Sequence, residues 1–481
     1  MSELPALRVA VAGLGPMGRG IARVFAQAGA MVAVVDADAV TTARGHARLL
    51  EEAADAPVEV SAAASVTEAV RGADLFVEAI VERFEVKRSL LEQVRSAGNE
   101  DLVIASNTSS LSIGELGIAY GIPARVVGMH FFNPPTKMRL VEVIRGPRTD
   151  PAVVDRAREW AALLGKTAVL CADSPNFIVN RVCRPLYYES QLLVTQGMTS
   201  AAVDAVVRAA LGHRMGPLEL LDFTGLVTHL GSSETAHREF GDPRYRPVPL
   251  TRQLVRAGTT GRAAGQGYYD YGESKPRDAQ TAVVRQPQPP VGRVRTAASG
   301  MSVEDGEIAV YRSVSCTPED AAAVRHLAGR GRVVVDSSAG GWVEHLPAGA
   351  GWMRLHETGA GPFAEVVADP VAGIEPAYDA TDALGAASVP VLALPGLVAD
   401  RLMYSLVNEA VTVVEEGTAS TEDVDLALRL GMNHPVGPLE YLDRAGAVTV
   451  LAGLRGMLDC FGDPRYRPAQ LLVRQAAGSR R

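Results

Sequence analysis

Cysteine is nearly absent from this chain: there are four in 481 residues, Cys171, Cys183, Cys316 and Cys460, with no CxxC pair and no metal-ligand spacing. A disulfide framework and a cysteine-built metal site are therefore not expected, and the thiols fit a reduced, cytoplasmic protein. No apolar stretch approaches the roughly 20 residues of a membrane span. Met1 to Leu7 lacks the basic start and apolar middle of a secretory signal. Long basic runs are missing too, and with a net charge of −8 a nucleic-acid or anionic-membrane surface is not expected. Lysine is absent from two stretches, Asp36 to Asp74 and Asn180 to Leu230.

What is present suits a soluble α/β protein. At 481 residues and 47% hydrophobic composition the chain has ample core, for about three or four domains. Short Val/Ala/Ile runs at Leu7 to Ala12, Met31 to Val35, Leu75 to Ala79, Leu102 to Ala105, Arg125 to Met129, Leu140 to Ile144 and Ala168 to Leu170 alternate with helical patterns. That alternation predicts a mostly parallel, doubly wound sheet over 1–174. From Pro175 the pattern is helical, and Gly265 to Tyr269 closes this unit near 272. The segment 273–299, with Arg285-Gln286-Pro287-Gln288-Pro289-Pro290, reads as a linker too proline-rich for regular elements.

Past the linker lies an internal repeat. Gly216-Pro217-Leu218-Glu219 recurs as Gly437-Pro438-Leu439-Glu440, and Gly241 to Pro247 recurs unchanged as Gly462 to Pro468, both at an offset of 221. The helical domain of 175–272 is thus copied in 393–481, with a degenerate α/β segment, 300–392, ahead of the copy. At an offset of 220, Asn180 becomes Asp400 while Arg181 is kept as Arg401. Met353 to His356 and Phe363 to Val366 loosely echo the strands carrying His130 and Glu142, and His356 reads as a relic.

Gly13-Leu14-Gly15-Pro16-Met17-Gly18 directly follows the first strand and opens the helix with Ile21, Val24 and Phe25. Gly13, Gly15 and Gly18 in that setting point to a dinucleotide pyrophosphate. Asp36 ends the second strand, where a carboxylate accepts from a ribose 2′-hydroxyl and repels a 2′-phosphate, which favours NAD over NADP. A solvated strand-end carboxylate is the plain alternative for Asp36.

The run from Ser106 to Glu142 holds the parts of a general-base site. Ser106-Asn107-Thr108-Ser109-Ser110, then Met129-His130-Phe131-Phe132-Asn133, then Val141-Glu142-Val143 supply hydroxyls, an imidazole, an amide and a carboxylate. Histidine is the side chain whose proton affinity lies near neutrality without special tuning, and a carboxylate beside it orients the ring.

Together these motifs resemble the 3-hydroxyacyl-CoA dehydrogenase family from Val9 to Tyr271, through GLGPMG, VEAIVE, ASNTSSLSI, GMHFFNPPTKMRLVEVI, SPNFIVNR, MGPLELLD and GQGYYDY. The two-copy layout looks like the subgroup acting in phenylacetate and other aromatic-acid degradation. The resemblance implies an NAD-binding Rossmann domain and oxidation of an (S)-3-hydroxyacyl-CoA to the 3-oxoacyl-CoA. By the same transfer His130 is the base, Glu142 pairs with it, and Ser109 and Asn180 contact substrate oxygens. Ile80, Val81, Glu82, Lys87, Ser109 and Asn133 are implied at the nicotinamide end, with Met17 and Asp36 nearer the adenosine; no metal is implied. Lys87 as a surface helix lysine and Asn180 as a simple cap are the plain alternatives.

Family members usually carry a lysine-bearing helical hairpin that grips CoA. Here Asp36 to Asp74 offers only Arg44, Arg48 and Arg71 as fixed cations. The alternatives are therefore an acyl-carrier-protein-bound or free 3-hydroxy acid, or a catalytically silent cofactor-binding protein. The beta-hydroxyacid dehydrogenases share the opening GLGxMG, but their chemistry relies on a lysine that Asn180 to Leu230 does not contain. In single-copy relatives the helical domain is implied to pair across a two-fold axis, so either a homodimer or an internal pseudo-dimer through 393–481 is expected.

Overall fold

The structure is a computed structural model that describes residues 7–54, 58–272, 283–297, 301, 303–304, 306–339, 341–367 and 374–478. It forms two compact units: one runs to Arg181 and also takes Glu416–Met432, and the other comprises Val182–Glu415 and Asn433–Arg481.

The first unit is built on an eight-stranded sheet. Its strands are β1 (Arg8–Ala12), β2 (Met31–Val35), β3 (Val60–Ala62), β4 (Leu75–Glu78), β5 (Val103–Ser106), β6 (Val126–Phe131), β7 (Leu140–Arg145) and β8 (Thr167–Ala172). They lie in the order β3-β2-β1-β4-β5-β6-β7-β8, parallel except where β6 meets β7. Val9, Val11, Val34, Leu75, Val77, Val103, Val127 and Val141 are buried in one core with Ile21, Phe25 and Trp160. Strands covered on both faces carry near-continuous apolar runs, which is why the Val/Ala segments were legible.

The second sheet has six strands: β9 (Arg293–Ala297), β10 (Glu307–Arg312), β11 (Arg332–Asp336), β12 (Gly351–Thr358), β13 (Gly361–Val367) and β14 (Ala387–Val391). In order β9-β10-β11-β12-β13-β14, with only β12 and β13 antiparallel, it repeats the pattern β1-β4-β5-β6-β7-β8. Among the described residues nothing corresponds to β2 and β3, and β10 starts ten residues after β9 ends. β9 corrects the expected linker. Residues 273–282 and 298–299 of that segment lie outside the described ones, but Arg293–Ala297 pairs with β10 as an edge strand. Arg285 is also tied down, bridging to Ser388 and forking onto Asp382 at 2.5 and 2.7 Å. Pro287, Pro289 and Pro290 lie between the Arg285 bridge and β9, outside the ladder, so proline content hid a docked segment.

The two helical copies meet reciprocally within the second unit. Tyr245 donates to Glu409 at 2.5 Å and Tyr466 to Glu189 at 2.7 Å. Arg246 pairs with Asp463 and Arg467 with Asp242. Glu189 also holds Arg401 at 2.6 Å, both fully buried. The copies are not one body, however. Helix Ser200–Leu211 of the first lies on β12, β13 and β14, whereas its counterpart Thr421–Met432 lies on β7 and β8 of the first sheet.

Glu189→Ala leaves the Arg401 guanidinium buried beside Gln196 and the Tyr466 hydroxyl without its carboxylate. Urea unfolding of this variant should show a loss of roughly 3–5 kcal/mol, the usual cost of breaking a buried pair.

Candidate active site

The glycine turn after β1 is fixed by packing. Gly13 sits at φ +89°, and a Cβ there would lie 2.6 Å from the Ala79 carbonyl oxygen. A Cβ on Gly18 would fall 1.7 Å from the Gly13 oxygen. Gly15 differs: nothing stands within 4 Å of its Cβ direction. It caps the helix Pro16–Gln27 with no side-chain bond, and the space on its Cβ side is open. That is the cradle a pyrophosphate needs. The Asp36 carboxylate accepts from the Leu14 amide at 2.6 Å and the Ala37 amide at 2.7 Å, which ties the end of β2 to the glycine turn. These residues fit the adenosine half of NAD. Arg19, which the sequence reading passed over, is buried under the same turn, donating to the Leu14 carbonyl and forking onto Glu52.

At the same end of β4, Lys87 is not a surface lysine. Its ammonium is buried and contacts both oxygens of Glu78, at 2.7 and 2.8 Å, and Glu82 at 3.2 Å. Burial pushes the Glu78 carboxyl up despite that partner. For Glu82 the penalty of burial is outweighed by Lys87 and by hydrogen bonds from Thr108 and Ser109, which hold it below the usual carboxylate range. Glu82 Oε1 accepts from the Thr108 hydroxyl at 2.6 Å and the Ser109 amide at 2.9 Å. Lys87 therefore acts on the Ser109 loop through Glu82. Glu78 was not singled out in the sequence. Ile80 is half-buried, and Val81 and Asn133 are exposed.

His130 and Glu142 stand opposite each other across the antiparallel pair β6–β7. His130 Nδ1 lies 2.6 Å from Glu142 Oε2. Glu142 is wholly buried, and its other oxygen accepts from the amides of Ile178 (3.1 Å) and Val179 (2.8 Å). A carboxylate satisfied in this way is held as an acceptor, so Nδ1–H donates to it and Nε2 is left as the basic atom. Phe132 and Phe177 pack on the imidazole. Asn107 Oδ1 accepts from the Phe131 amide at 2.8 Å, anchoring the serine loop to the end of β6. Asn180 follows directly on the two amides that hold Glu142, half-buried in the single turn Val179–Val182. Asn176 and Phe177 just before it take left-handed φ of 62° and 54°, a costly conformation for such residues.

The second sheet carries a counterpart without the base. Glu365 accepts from the Val398 and Ala399 amides at 2.7 and 3.2 Å, as Glu142 does from Ile178 and Val179. Opposite Glu365 in the ladder stands Arg354, not His356. The Leu355 amide donates to Asp336 as Phe131 does to Asn107. The register thus makes Arg354 the equivalent of His130 and corrects the echo read for His356. That residue lies two positions on, although its Nε2 reaches Glu365 at 2.9 Å. Arg354 pairs at 2.8 Å with Asp400, the residue at the place of Asn180. Among the described residues this sheet has no strand in the place of β2, which ends beside Asp36.

Family models for the 3-hydroxyacyl-CoA dehydrogenase NAD-binding domain match residues 8–174, and those for its C-terminal domain match 177–271 and 396–480. The chain belongs to the 3-hydroxyacyl-CoA dehydrogenase family. The dehydrogenase is 32% identical to 3-hydroxyadipyl-CoA dehydrogenase of Escherichia coli K12 over 97% of both chains. It is 40% identical to a probable 3-hydroxybutyryl-CoA dehydrogenase of Deinococcus radiodurans, which matches 55% of this chain and all of the relative. A solved 3-hydroxybutyryl-CoA dehydrogenase from E. coli K12 superposes with a TM-score of 0.81 at 29% identity, over 98% of this chain and 99% of that one. The dehydrogenase is thus an NAD-dependent oxidoreductase acting on the CH–OH of a 3-hydroxyacyl-CoA. Among the described residues no helix is long and apolar enough to cross a membrane, and no cluster of His, Cys, Asp and Glu could hold a metal.

Two glycine variants separate packing from cofactor contact. Gly15→Ala should fold normally yet weaken NADH binding about tenfold or more by fluorescence titration. Gly18→Ala should lower the thermal midpoint as well, because its methyl group meets backbone.

Proposed function

We propose that His130 is the general base, oriented by Glu142, in NAD-dependent oxidation of an (S)-3-hydroxyacyl-CoA, with Ser109 and Asn180 holding the substrate oxygens. The observation that carries this reading is the 2.6 Å bond from His130 Nδ1 to a carboxylate that is fully buried and pinned by two amides. NAD, when bound, supplies the hydride acceptor. His130 Nε2 takes the proton of the 3-hydroxyl as the C3–H bond breaks, and Glu142 stabilises the imidazolium that results. In the reductive direction His130 returns the proton. Ser109 and Asn180 act by orientation, fixing the carbinol and thioester oxygens. Gly13, Gly15, Met17, Gly18 and Asp36 take the adenosine side of the cofactor, and Ile80, Val81, Glu82 and Asn133 the nicotinamide side. Lys87 serves there indirectly, by fixing Glu82. A cytoplasmic setting suits a chain with no disulfide.

The expected result is NADH-dependent reduction of acetoacetyl-CoA, followed at 340 nm, that falls by about 10²- to 10⁴-fold in His130→Ala, the usual worth of a general base. Near-normal turnover in that variant would remove the assignment. Glu142→Gln should lose on the order of tenfold or more in kcat while NADH affinity holds. A 3-oxoadipyl-CoA arm compares the acyl group named for the full-length relative with the four-carbon one. We also propose that the reciprocal contacts of the helical copies replace a partner subunit. Light scattering should then give the mass of one chain; a mass of two would count against it.

A further inference from the structure

The segment that holds Glu142 and presents Asn180 is tied to its own domain near its start, where Asp173 accepts from the Ser112 hydroxyl at 2.7 Å and the Gly114 amide at 2.8 Å. Residues 172–181 contain a single helical turn, begun at Val179, and two left-handed residues, Asn176 and Phe177. On both sides of the left-handed turn, further support comes from the second helical copy. At one end of the segment, the Thr418 carbonyl accepts from the Ala172 amide at 2.8 Å. At the other, Glu416 Oε2 lies 2.7 Å from Arg181 Nη1, and Arg181, the neighbour of Asn180, is 1% exposed. Arg181 also donates to Ser174 Oγ within the segment, at 3.2 Å. Between these ends helix Thr421–Met432 presses on the site at Gly431. A Cβ there would lie 2.9 Å from Leu140 Cδ2 and 3.0 Å from Val179 Cγ2. Leu140 opens the strand bearing Glu142, and Val179 is the residue whose amide holds it.

We infer that the second helical copy, which has no chemistry of its own, is a working part of the first active site: Glu416 and Gly431 are positioning residues for Asn180 and Glu142. This rests on the reading of those two residues as substrate contact and base partner. The Glu416 carboxylate is 44% exposed, so water screens its side of the pair while the Arg181 side is buried. Its effect lies in the orientation of a buried guanidinium next to Asn180, where small displacements are costly to rate. The equivalent contact in the other half, Arg401 to Gln196 at 2.8 Å, serves a site that lacks the base.

The test uses the full chain with acetoacetyl-CoA and NADH. Glu416→Ala is expected to lower kcat about tenfold, with KM for NADH within twofold because the Gly13 to Asp36 end is untouched. Glu416→Asp should recover part of the rate, and Gly431→Ala should also lose kcat. Gln196→Ala, its mirror in the silent half, should keep wild-type kcat. In an Asn180→Ala background Glu416→Ala should cost nothing further, since it acts through that residue. Wild-type kcat in folded Glu416→Ala and Gly431→Ala would overturn the inference. So would fully multiplicative losses in the double variant, or equal losses in Gln196→Ala. Should Glu416→Ala fail to fold, Glu416→Gln, of the same size, and Gly431→Ala decide. Full activity in Asn180→Ala alone would overturn the underlying reading of the site, and that variant shows it without any change at Glu416.

Discussion

The structure turns on one buried carboxylate. Glu142 has no exposure to water, so its charge must be matched inside the protein, and it is matched from two sides: by the Ile178 and Val179 amides and by His130 Nδ1–H. Desolvating a carboxylate is expensive, and only a complete set of donors makes it tolerable. The antiparallel register of β6 and β7, the left-handed backbone at Asn176 and Phe177, and the placement of Asn180 all satisfy that one demand. A general base oriented at a fixed distance is its chemical product.

The same logic governs the cofactor end. Glu78 and Glu82 crowd one buried lysine, and the second carboxylate passes its fixed position on to the Ser109 loop through Thr108 and the Ser109 amide. Asn107 then ties that loop to the strand of His130. Hydroxyl loop, base and orienting carboxylate are therefore held by a set of polar groups whose buried members, Glu78, Lys87, Thr108 and Glu142, would be costly if left unpaired.

Local chemistry was legible in the sequence and distant chemistry was not. β2 was readable to the residue because both its faces are apolar, and the His130–Glu142 pair because the hairpin-like return of β6 and β7 keeps the partners twelve positions apart. Burial of Lys87 could not be foreseen, since a helix lysine turns inward only when carboxylates wait for it, and Glu78 waits on a separate strand. The short β3 was missed because it is half exposed and three residues long. His356 looked like the echo of His130 because deletions shift the offset between halves: it is 220 at Asn180, 223 at Glu142 and 224 at His130. Only the ladder register makes Arg354 the equivalent. That helix Thr421–Met432 leaves its own copy to cover β7 and β8 has no local signature, because its apolar face fits either sheet.

The two halves show which features of a duplicated site persist once its chemistry is gone. Glu365 keeps its two backbone donors, as removing it would orphan the amides of Val398 and Ala399. The base and the amide, which stabilise nothing by themselves, have become Arg354 and Asp400, a charge pair that closes on itself. Among the described residues no strands correspond to β2 and β3. What the second copy retains unchanged includes the Gly-Asp-Pro-Arg-Tyr-Arg-Pro segment and the arginine after position 400, residues through which the helical copies grip each other, together with the Gly-Pro-Leu-Glu helix start. A half freed from catalysis but not from folding and assembly would be expected to keep its helix starts, its buried acceptor and its contacts with the other copy while it loses the base and the amide, and that is the pattern of its residues.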